Sequence, residues 1–528
     1  MQTAEPTAAL DRPMGTVCPF CGSGCSMLLV GETSQPRLHH PVCQGALCLR
    51  GWSAGELLRS PRRVLHAHYK VRGSAPTSVS VESALDGIAE HLADIRRRRG
   101  GARIGILGSA RITVEEVLLL RRLASALRTP HLDTMQRAGY LHFPPVSLET
   151  IETSPRVTVL GANLTVRQPQ VGRRLMRAVD RGAHVRFVHS RRVQLSSVAA
   201  EHLVVLPGHE VESLGPLDPD ELVLISSEIA LSGQGSLALE RLAGQPVMFL
   251  TDYANQRGVV EAGLRPGPDG WSAWEMLRAA AGGELDAMLV FADDPSEFFP
   301  ALTARAFERC ELAVVVDSVQ TPTARRAGVV IPGALLAEKH GTVVNTEGRA
   351  QEIAPVADPV AGWTEGAVAT RLLRSLGAAD AEPAPPPPFV TLESGTATDR
   401  PDGDFPFLAS LDTTLFWNSH ALVGATVTAW REARSVFADF PPGCVTLNPD
   451  DARRIGLQYA GAVRVSSRDG SVTLPVRLHP RMLPGTVWIA MRCWEHCGER
   501  LGALELDPAL RIPIFRPRAV RLERPAVA

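Results

Sequence analysis

Five of the nine cysteines in this 528-residue chain fall between Cys18 and Cys48. Three of them crowd into Cys18-Pro19-Phe20-Cys21-Gly22-Ser23-Gly24-Cys25. Glycines at 22 and 24 let the backbone fold tightly around whatever the thiols hold. Such density in a long chain speaks for metal ligation rather than a disulfide framework. Structural zinc usually takes two C-x₂₋₄-C pairs. One triple and a distant single suit four thiolates converging on a cubane, so the residues point to a [4Fe–4S] cluster. Structural zinc and metal-free buried thiols are the competing readings. On spacing alone the fourth ligand is either Cys43 or Cys48.

Beyond residue 65 strands and helices alternate. Val81, Leu85, Ile88, Leu92 and Ile95 recur at helical spacing. The apolar run Ile104 to Leu107 leads to Gly108 and a second helix from about Val114 to Leu127. Val157 to Leu160 ends in Gly161 and precedes a helix over Val171 to Val179; Val185 to Val188 is a further strand. Later apolar runs are Val247 to Leu250, Met288 to Phe291, Leu312 to Val316 and Val329 to Ile331. This alternation predicts parallel sheets with helices on both faces. Residues 378–404 break it: Pro383 to Pro388 is all proline except Ala384, a composition that reads as a linker. From Phe405 the texture turns to strands, with a hairpin of Gly461 to Ser467 and Val472 to Leu478 about Asp469-Gly470. The expected division is a cluster domain at 14–65, α/β domains at 66–377, a linker at 378–404 and a β domain at 405–528.

A formal net charge of −1 gives no bulk field for nucleic acid or an anionic membrane. No stretch approaches the roughly 20 apolar residues of a membrane span. Met1 to Met14 has neither a basic n-region nor an apolar core. The expectation is a cytoplasmic protein with no direct membrane insertion and no nucleic-acid partner.

The cysteine spacing, followed by Cys48-Leu49-Arg50-Gly51, resembles the N-terminal cluster domain of the molybdopterin oxidoreductases. That family includes formate dehydrogenases, nitrate reductases and the large iron–sulfur subunit of respiratory complex I. The resemblance favours Cys48 as fourth ligand, with Cys18, Cys21 and Cys25. Arg50 stands where the family usually has Lys, between cluster and pterin, and keeps its positive charge as an electron relay. Further stretches resemble the family in order: Gly161-Ala162-Asn163, His189-Ser190-Arg191-Arg192, Leu206-Pro207-Gly208-His209-Glu210, Ala337 to Thr342 with Asn345 to Arg349, Leu447 to Ala452, and Leu506 to Pro513. The implied fold is an N-terminal [4Fe–4S] domain, two interleaved Rossmann-like α/β domains and a C-terminal β-barrel of the molybdopterin-dinucleotide-binding type. The implied nucleotide contacts are Gly161, Asn163, Arg191, Gly208, Glu210, Asn448 and Asp451.

The pattern also departs from the catalytic members. In formate dehydrogenases the protein ligand of molybdenum or tungsten precedes His, then Gly-Pro. Here, aligned on His142 and Pro144, that position holds Leu141, which has no lone pair to donate. Val114 replaces a common Asn, and the segment between Pro144 and Val157 is short. Ala254 to Gly258 and Glu347-Gly348-Arg349 look more like the complex I subunit. The expected function is an iron–sulfur electron-transfer subunit, partnered by flavin or iron–sulfur proteins, on a molybdopterin oxidoreductase scaffold. The alternative is a catalytic enzyme, such as a formate dehydrogenase, with molybdopterin guanine dinucleotide and Mo or W. A third reading is an assembly module with a structural metal. Cys493 and Cys497 are expected to be unpaired thiols.

Overall fold

A computed structural model describes residues 14–70, 75–389, 399–412, 443–457, 461–490 and 495–525. The chain opens with a small antiparallel sheet of β1 (Met14–Val17), β2 (Ser26–Val30) and β3 (Thr33–Pro36). The β1–β2 hairpin carries the first three cysteines in its loop. A seven-stranded sheet then begins with β4 (Ala67–Tyr69), β5 (Thr77–Val79), β6 (Ile104–Leu107) and β7 (Leu132–Asp133). The chain leaves it to build a five-stranded sheet from β8 (Arg156–Leu160), β9 (His184–His189), β10 (Glu201–Val204), β11 (Leu222–Ser226) and β12 (Val247–Leu250). It returns to the first sheet for β13 (Ala287–Phe291), β14 (Leu312–Asp317) and β15 (Val329–Pro332). That excursion and return is the interleaving expected of the two α/β domains.

The smaller sheet is parallel, in the order β10-β9-β8-β11-β12. The larger is β5-β4-β15-β14-β13-β6-β7, parallel from β15 to β7. Strands covered on both faces read as continuous apolar runs, and every residue of β6, β13 and β14 is buried. Helix Val81–Arg99 buries Leu85, Ile88, Leu92 and Ile95 and starts at the Ser80 cap. Helix Val114–Leu127 opens on a Thr113/Glu116 capping box. The order of strand addition reverses between β8 and β11 in one sheet and between β6 and β13 in the other. Crevices at the carboxyl ends of strands at such switch points are where α/β sheets bind ligands.

A hairpin of β16 (Gly341–Val344) and β17 (Ala350–Ile353) follows. The C-terminal part forms a closed barrel with β18 (Phe407–Asp412), β19 (Cys444–Leu447), β20 (Ala462–Ser466), β21 (Ser471–Leu478), β22 (Thr486–Ala490) and, after the short pair β23 (Leu504–Leu506) and β24 (Pro513–Phe515), β25 (Arg518–Glu523). β20 and β21 are the expected hairpin.

The proline stretch runs back along the α/β body as a strap. Arg122 donates to the Ala381 carbonyl at 2.7 Å and also to Ala379, and Arg121 and Arg265 donate to Ala384 and Pro387. Polyproline backbone leaves its carbonyls free to accept, which explains why arginines hold it. No helix among the described residues is long and apolar enough to cross a membrane.

Candidate functional site

The cysteine loop is held by glycines at close approaches. A Cβ on Gly22 would fall 1.6 Å from Thr251 Oγ1, at the end of β12. Gly22 N–H donates to the Thr251 carbonyl at 3.1 Å, and Thr346 N–H donates to the Gly22 carbonyl at 2.7 Å. Gly24 has φ +69°, a conformation few other residues adopt, and a Cβ there would sit 2.5 Å from Asn345 Cβ. Asn345 Nδ2 donates to the Ser23 carbonyl at 3.2 Å, and Gln351 Nε2 to the Gly24 carbonyl at 3.0 Å. The loop is therefore wedged between β12 and the β16–β17 hairpin. This is why the late Asn345-to-Arg349 motif belongs with cysteines more than 300 positions away.

Cys18, Cys21 and Cys25 are buried, and Cys48 caps the short helix Leu49–Trp52. Burial, then the charges of Cys48 and Cys21, push the Cys18 thiol up. Burial, then Cys18, Cys21 and Cys48, does the same to Cys25. These thiols are close enough to act on one another electrostatically, and Cys43 acts on Cys25 as well. Cys43 is fully buried, and its thiol donates to the carbonyls of Ser26 at 3.1 Å and Arg37 at 3.2 Å. Among the described residues no three His, Cys, Asp or Glu side chains are grouped to hold a single metal ion. A cubane is larger than one ion and spreads its thiolates further apart, so the cysteine set fits a four-iron cluster in chemistry and burial.

Arg50 is 1% exposed. Burial opposes its charge, but Cys21, Cys48 and Cys18, with a hydrogen bond to Cys48, outweigh this and hold its pKa up. It also donates to the Arg167 carbonyl at 2.5 Å and to the Val166 carbonyl at 3.4 Å. Arg50 thus spans from the thiols to the switch point of the smaller sheet. There Arg167 donates to Ser227 Oγ at 2.6 Å and Asp252 Oδ1 at 3.0 Å, and pairs with Glu228 at 3.3 Å.

Gly161 (φ +62°) and Asn163 stand at the end of β8 in this crevice. Asn163 is 5% exposed and its Oδ1 has no partner. Arg191 follows β9, lies 4.0 Å from Glu228 and stacks over Trp488 of the barrel at 4.5 Å. A backbone bridge from Arg191 to Met482 fixes the barrel here. Burial, then Arg191, drives the His189 imidazole well down, so it is neutral. The structure brings Gly161, Asn163 and Arg191 together. The other expected nucleotide contacts are engaged internally. Glu210 accepts from Gly208 N–H at 2.9 Å and Gln234 Nε2 at 2.7 Å. Asn448 caps the helix Pro449–Arg454 and donates to the Met482 carbonyl at 2.8 Å. Asp451 accepts from Gly485 N–H at 2.7 Å.

Sequence reasoning missed Arg111, at the switch point of the larger sheet. It is 8% exposed, and both its Nη1 and Nη2 lack partners. It lines a small cavity with Phe20 of the cysteine loop and Ala292 after β13. Beside that cavity burial pushes Asp293 up to about 7. The available signal was Ser109-Ala110-Arg111 between an apolar strand and the Thr113-x-x-Glu116 capping box.

Leu141 is fully buried in the apolar core and packs against Gly235, whose Cβ would come 3.2 Å from Leu141 Cδ2. His142 is half-buried, 3.7 Å from Glu261, and stacks on Phe389 of the strap. Burial, then Arg257 and Arg265, lowers its pKa. Of the C-terminal thiols, Cys497 is buried, whereas Cys493 lies outside the described residues.

Residues 14–60 match the molybdopterin oxidoreductase Fe4S4 domain, residues 222–362 molybdopterin oxidoreductase, and residues 423–516 the molydopterin dinucleotide binding domain. The F420-dependent formate dehydrogenase subunit alpha of Methanocaldococcus jannaschii is 23% identical over 97% of this chain and 99% of its own. That alignment runs over 681 positions against 528 residues here, so the chain lacks segments its relative carries. Formate dehydrogenase H of Escherichia coli is 22% identical, over 96% and 95%. An NADH-quinone oxidoreductase subunit of Rhizobium meliloti is 26% identical over 65% of this chain and 51% of that one. Among solved structures, acetylene hydratase from Pelobacter acetylenicus superposes with a TM-score of 0.70 at 14% identity, over 97% and 100% of the two chains. That likeness speaks for the fold.

Proposed function

The chain belongs to the molybdopterin oxidoreductase family, and on that premise we propose that it is an iron–sulfur electron-transfer subunit of a multisubunit oxidoreductase, without metal-centred catalysis of its own. The reading rests on Leu141: aligned on His142 and Pro144 it falls where formate dehydrogenases supply a metal ligand, and its side chain is fully buried in the apolar core. Several relatives are named as subunits of larger redox enzymes, which supports partners carrying flavin or further clusters.

In this reading Cys18, Cys21, Cys25 and Cys48 hold the [4Fe–4S] cluster, and Cys43 is a structural thiol committed to two carbonyls. The cluster, when bound, supplies one-electron transfer. The glycine-wedged loop excludes water from three of the thiols, which holds their surroundings low in dielectric. Arg50 supplies a fixed positive charge against the thiolates and reaches towards the switch point, so it serves as the relay out of the cluster domain.

The nucleotide of a molybdopterin cofactor fits part of the body. Asn163 Oδ1 and the Arg111 Nη1 and Nη2 are buried polar atoms without hydrogen-bond partners. Buried polar atoms of this kind are costly unless a ligand satisfies them. Glu210, Asn448 and Asp451 would have to give up internal hydrogen bonds to take part. These unmet groups, together with the full-length likeness to formate dehydrogenases, favour a second reading, a catalytic enzyme whose metal takes no protein ligand. The test is to purify the chain from a host grown with molybdate and tungstate and assay formate with an artificial acceptor. No turnover without partner subunits is expected. Turnover that Leu141→Cys alters would establish the second reading.

A further inference from the structure

A cavity of about 430 Å³ lies between the strap and the α/β body, with Arg137, Tyr140, His142, Arg265, Phe389 and Arg511 among its walls. That volume is in the range of small-molecule sites. Its chemistry is unusual in two respects.

The first is a flat slot. Phe389 lies between two planar groups: the His142 ring, stacked at 3.9 Å and 13° between planes, and the Arg265 guanidinium, 3.9 Å from the ring centre. Both distances are those of direct stacking. Phe389 is nonetheless 40% exposed, an aromatic ring at the cavity edge on the last described residue of the strap. A slot bounded by an imidazole and a guanidinium at this spacing accepts any flat ring.

The second is a buried charge with no carboxylate in hydrogen-bond contact; Glu261, 3.7 Å from His142, acts on it only through space. Arg265 is 9% exposed. Its Nη1 and Nη2 donate to the carbonyls of Val260 and Pro387, its Nε has no partner, and no carboxylate pairs with it among the described residues. Burial, then the positive charge of Arg137, lowers its pKa. Its neighbours are already neutralised, Arg137 by Asp133 at 2.8 Å and Arg511 by Glu275 at 2.6 Å. A buried guanidinium satisfied only by carbonyls is poorly compensated, and the negative charge of a bound anion would offset it.

From this juxtaposition we propose that the cavity is a binding site for a flat aromatic ring bearing an anionic group, with Phe389 as an intramolecular competitor for the slot. The ring stacks between His142 and Arg265, and its carboxylate or phosphate meets the Arg265 guanidinium. Glu240 at the rim disfavours ligands with negative charge spread over their whole length. The proposal goes beyond the electron-transfer reading and does not depend on it.

The experiment is calorimetric titration of the full chain with nicotinate and with AMP, which present a ring carboxylate and a phosphate, against nicotinamide and adenosine as uncharged partners. Phe389→Ala should bind nicotinate or AMP about tenfold tighter than the parent chain, and about tenfold tighter than the matching uncharged compound. Tightening for nicotinate alone assigns a carboxylate ligand, and for AMP alone a phosphate. In the Phe389→Ala background, Arg265→Gln should abolish the preference for the anion. Arg265→Lys, which keeps the charge but not the plane, should keep the preference at lower affinity. His142→Ala, at a half-exposed position, should weaken both charged and uncharged rings. Equal binding of charged and uncharged rings would overturn the proposal, as would no binding of either anion to Phe389→Ala at millimolar concentration or no gain over the parent.

Discussion

Gly22→Ala should detach the cysteine loop from the α/β body, and the size of the effect follows from three contacts. The new methyl carbon would stand 1.6 Å from Thr251 Oγ1 and 2.6 Å from both Thr251 Cβ and the Thr251 carbonyl oxygen. The hydroxyl can rotate away. The Cβ and the carbonyl cannot, because Thr251 follows directly on β12. Carbon contacts settle near ~3.5 Å, so the loop must withdraw by about 1 Å. Withdrawal stretches the 3.1 Å bond from Gly22 N–H to Thr251 and the 2.7 Å bond from Thr346 N–H to Gly22. Each lost hydrogen bond is worth about 1 kcal/mol, and overpacking adds about 1–3 kcal/mol. The sum is roughly 3–5 kcal/mol, concentrated where the thiols meet. The assay is the visible absorption of the purified chain with a chaotrope titration of that absorption. The variant should lose colour at a much lower denaturant concentration than the parent. Adding Thr251→Ala should recover only a minor part, since the carbonyl contact remains. An unchanged bleaching midpoint in Gly22→Ala would refute the argument that this glycine is required by close approach.

Cys48→Ala should remove the visible absorption and the reduced-state EPR signal, whereas Cys43→Ala should leave both largely intact at some cost in stability; the opposite outcome reverses the choice of fourth ligand. Limited proteolysis should cut first between Phe389 and Asp404, because the arginine-held stretch before it is protected, and should release a tail of domain size; an early cut at Pro383 to Pro388 would contradict the strap. Lys339 is 1% exposed and pairs with Glu116 at 3.1 Å and Glu365 at 2.5 Å, so Lys339→Met should cost about 3–5 kcal/mol in a denaturant titration. Burial already raises Glu365 to about 7, so its folded form binds a proton that the unfolded form has lost above about 4.5, and stability falls as pH rises across that window. The Lys339→Met deficit should shrink on acidification, and Glu365→Gln should offset it at neutral pH; a deficit independent of pH would contradict this.

The strands and helices that the sequence displays best are those governed by one-dimensional rules. Apolar runs buried on both faces, such as Met288 to Phe291, and the periodic Leu85, Ile88, Leu92 and Ile95 form the elements expected of them. The cysteine motif is equally legible, since cluster ligation fixes residue type and spacing together. What the sequence hides is where charges find partners. The strap composition signals extended chain, and nothing local reveals that Arg121, Arg122 and Arg265 hold its carbonyls. Arg111 looks like one arginine among many until its burial and unmet donors are seen. Asn448 and Asp451 match a motif, yet their side chains cap a helix and hold a turn. The Arg50 bridge ends on a backbone carbonyl, an acceptor every residue has and no sequence pattern marks.

The most direct test of the central claim is the stoichiometry of iron, molybdenum and tungsten in the chain purified anaerobically from a host supplied with all three. The account predicts about four irons per chain, the content of one cubane, and molybdenum and tungsten far below one. Molybdenum or tungsten approaching one per chain, alongside the iron, would contradict it and make Leu141 a replaced ligand in a working metal site.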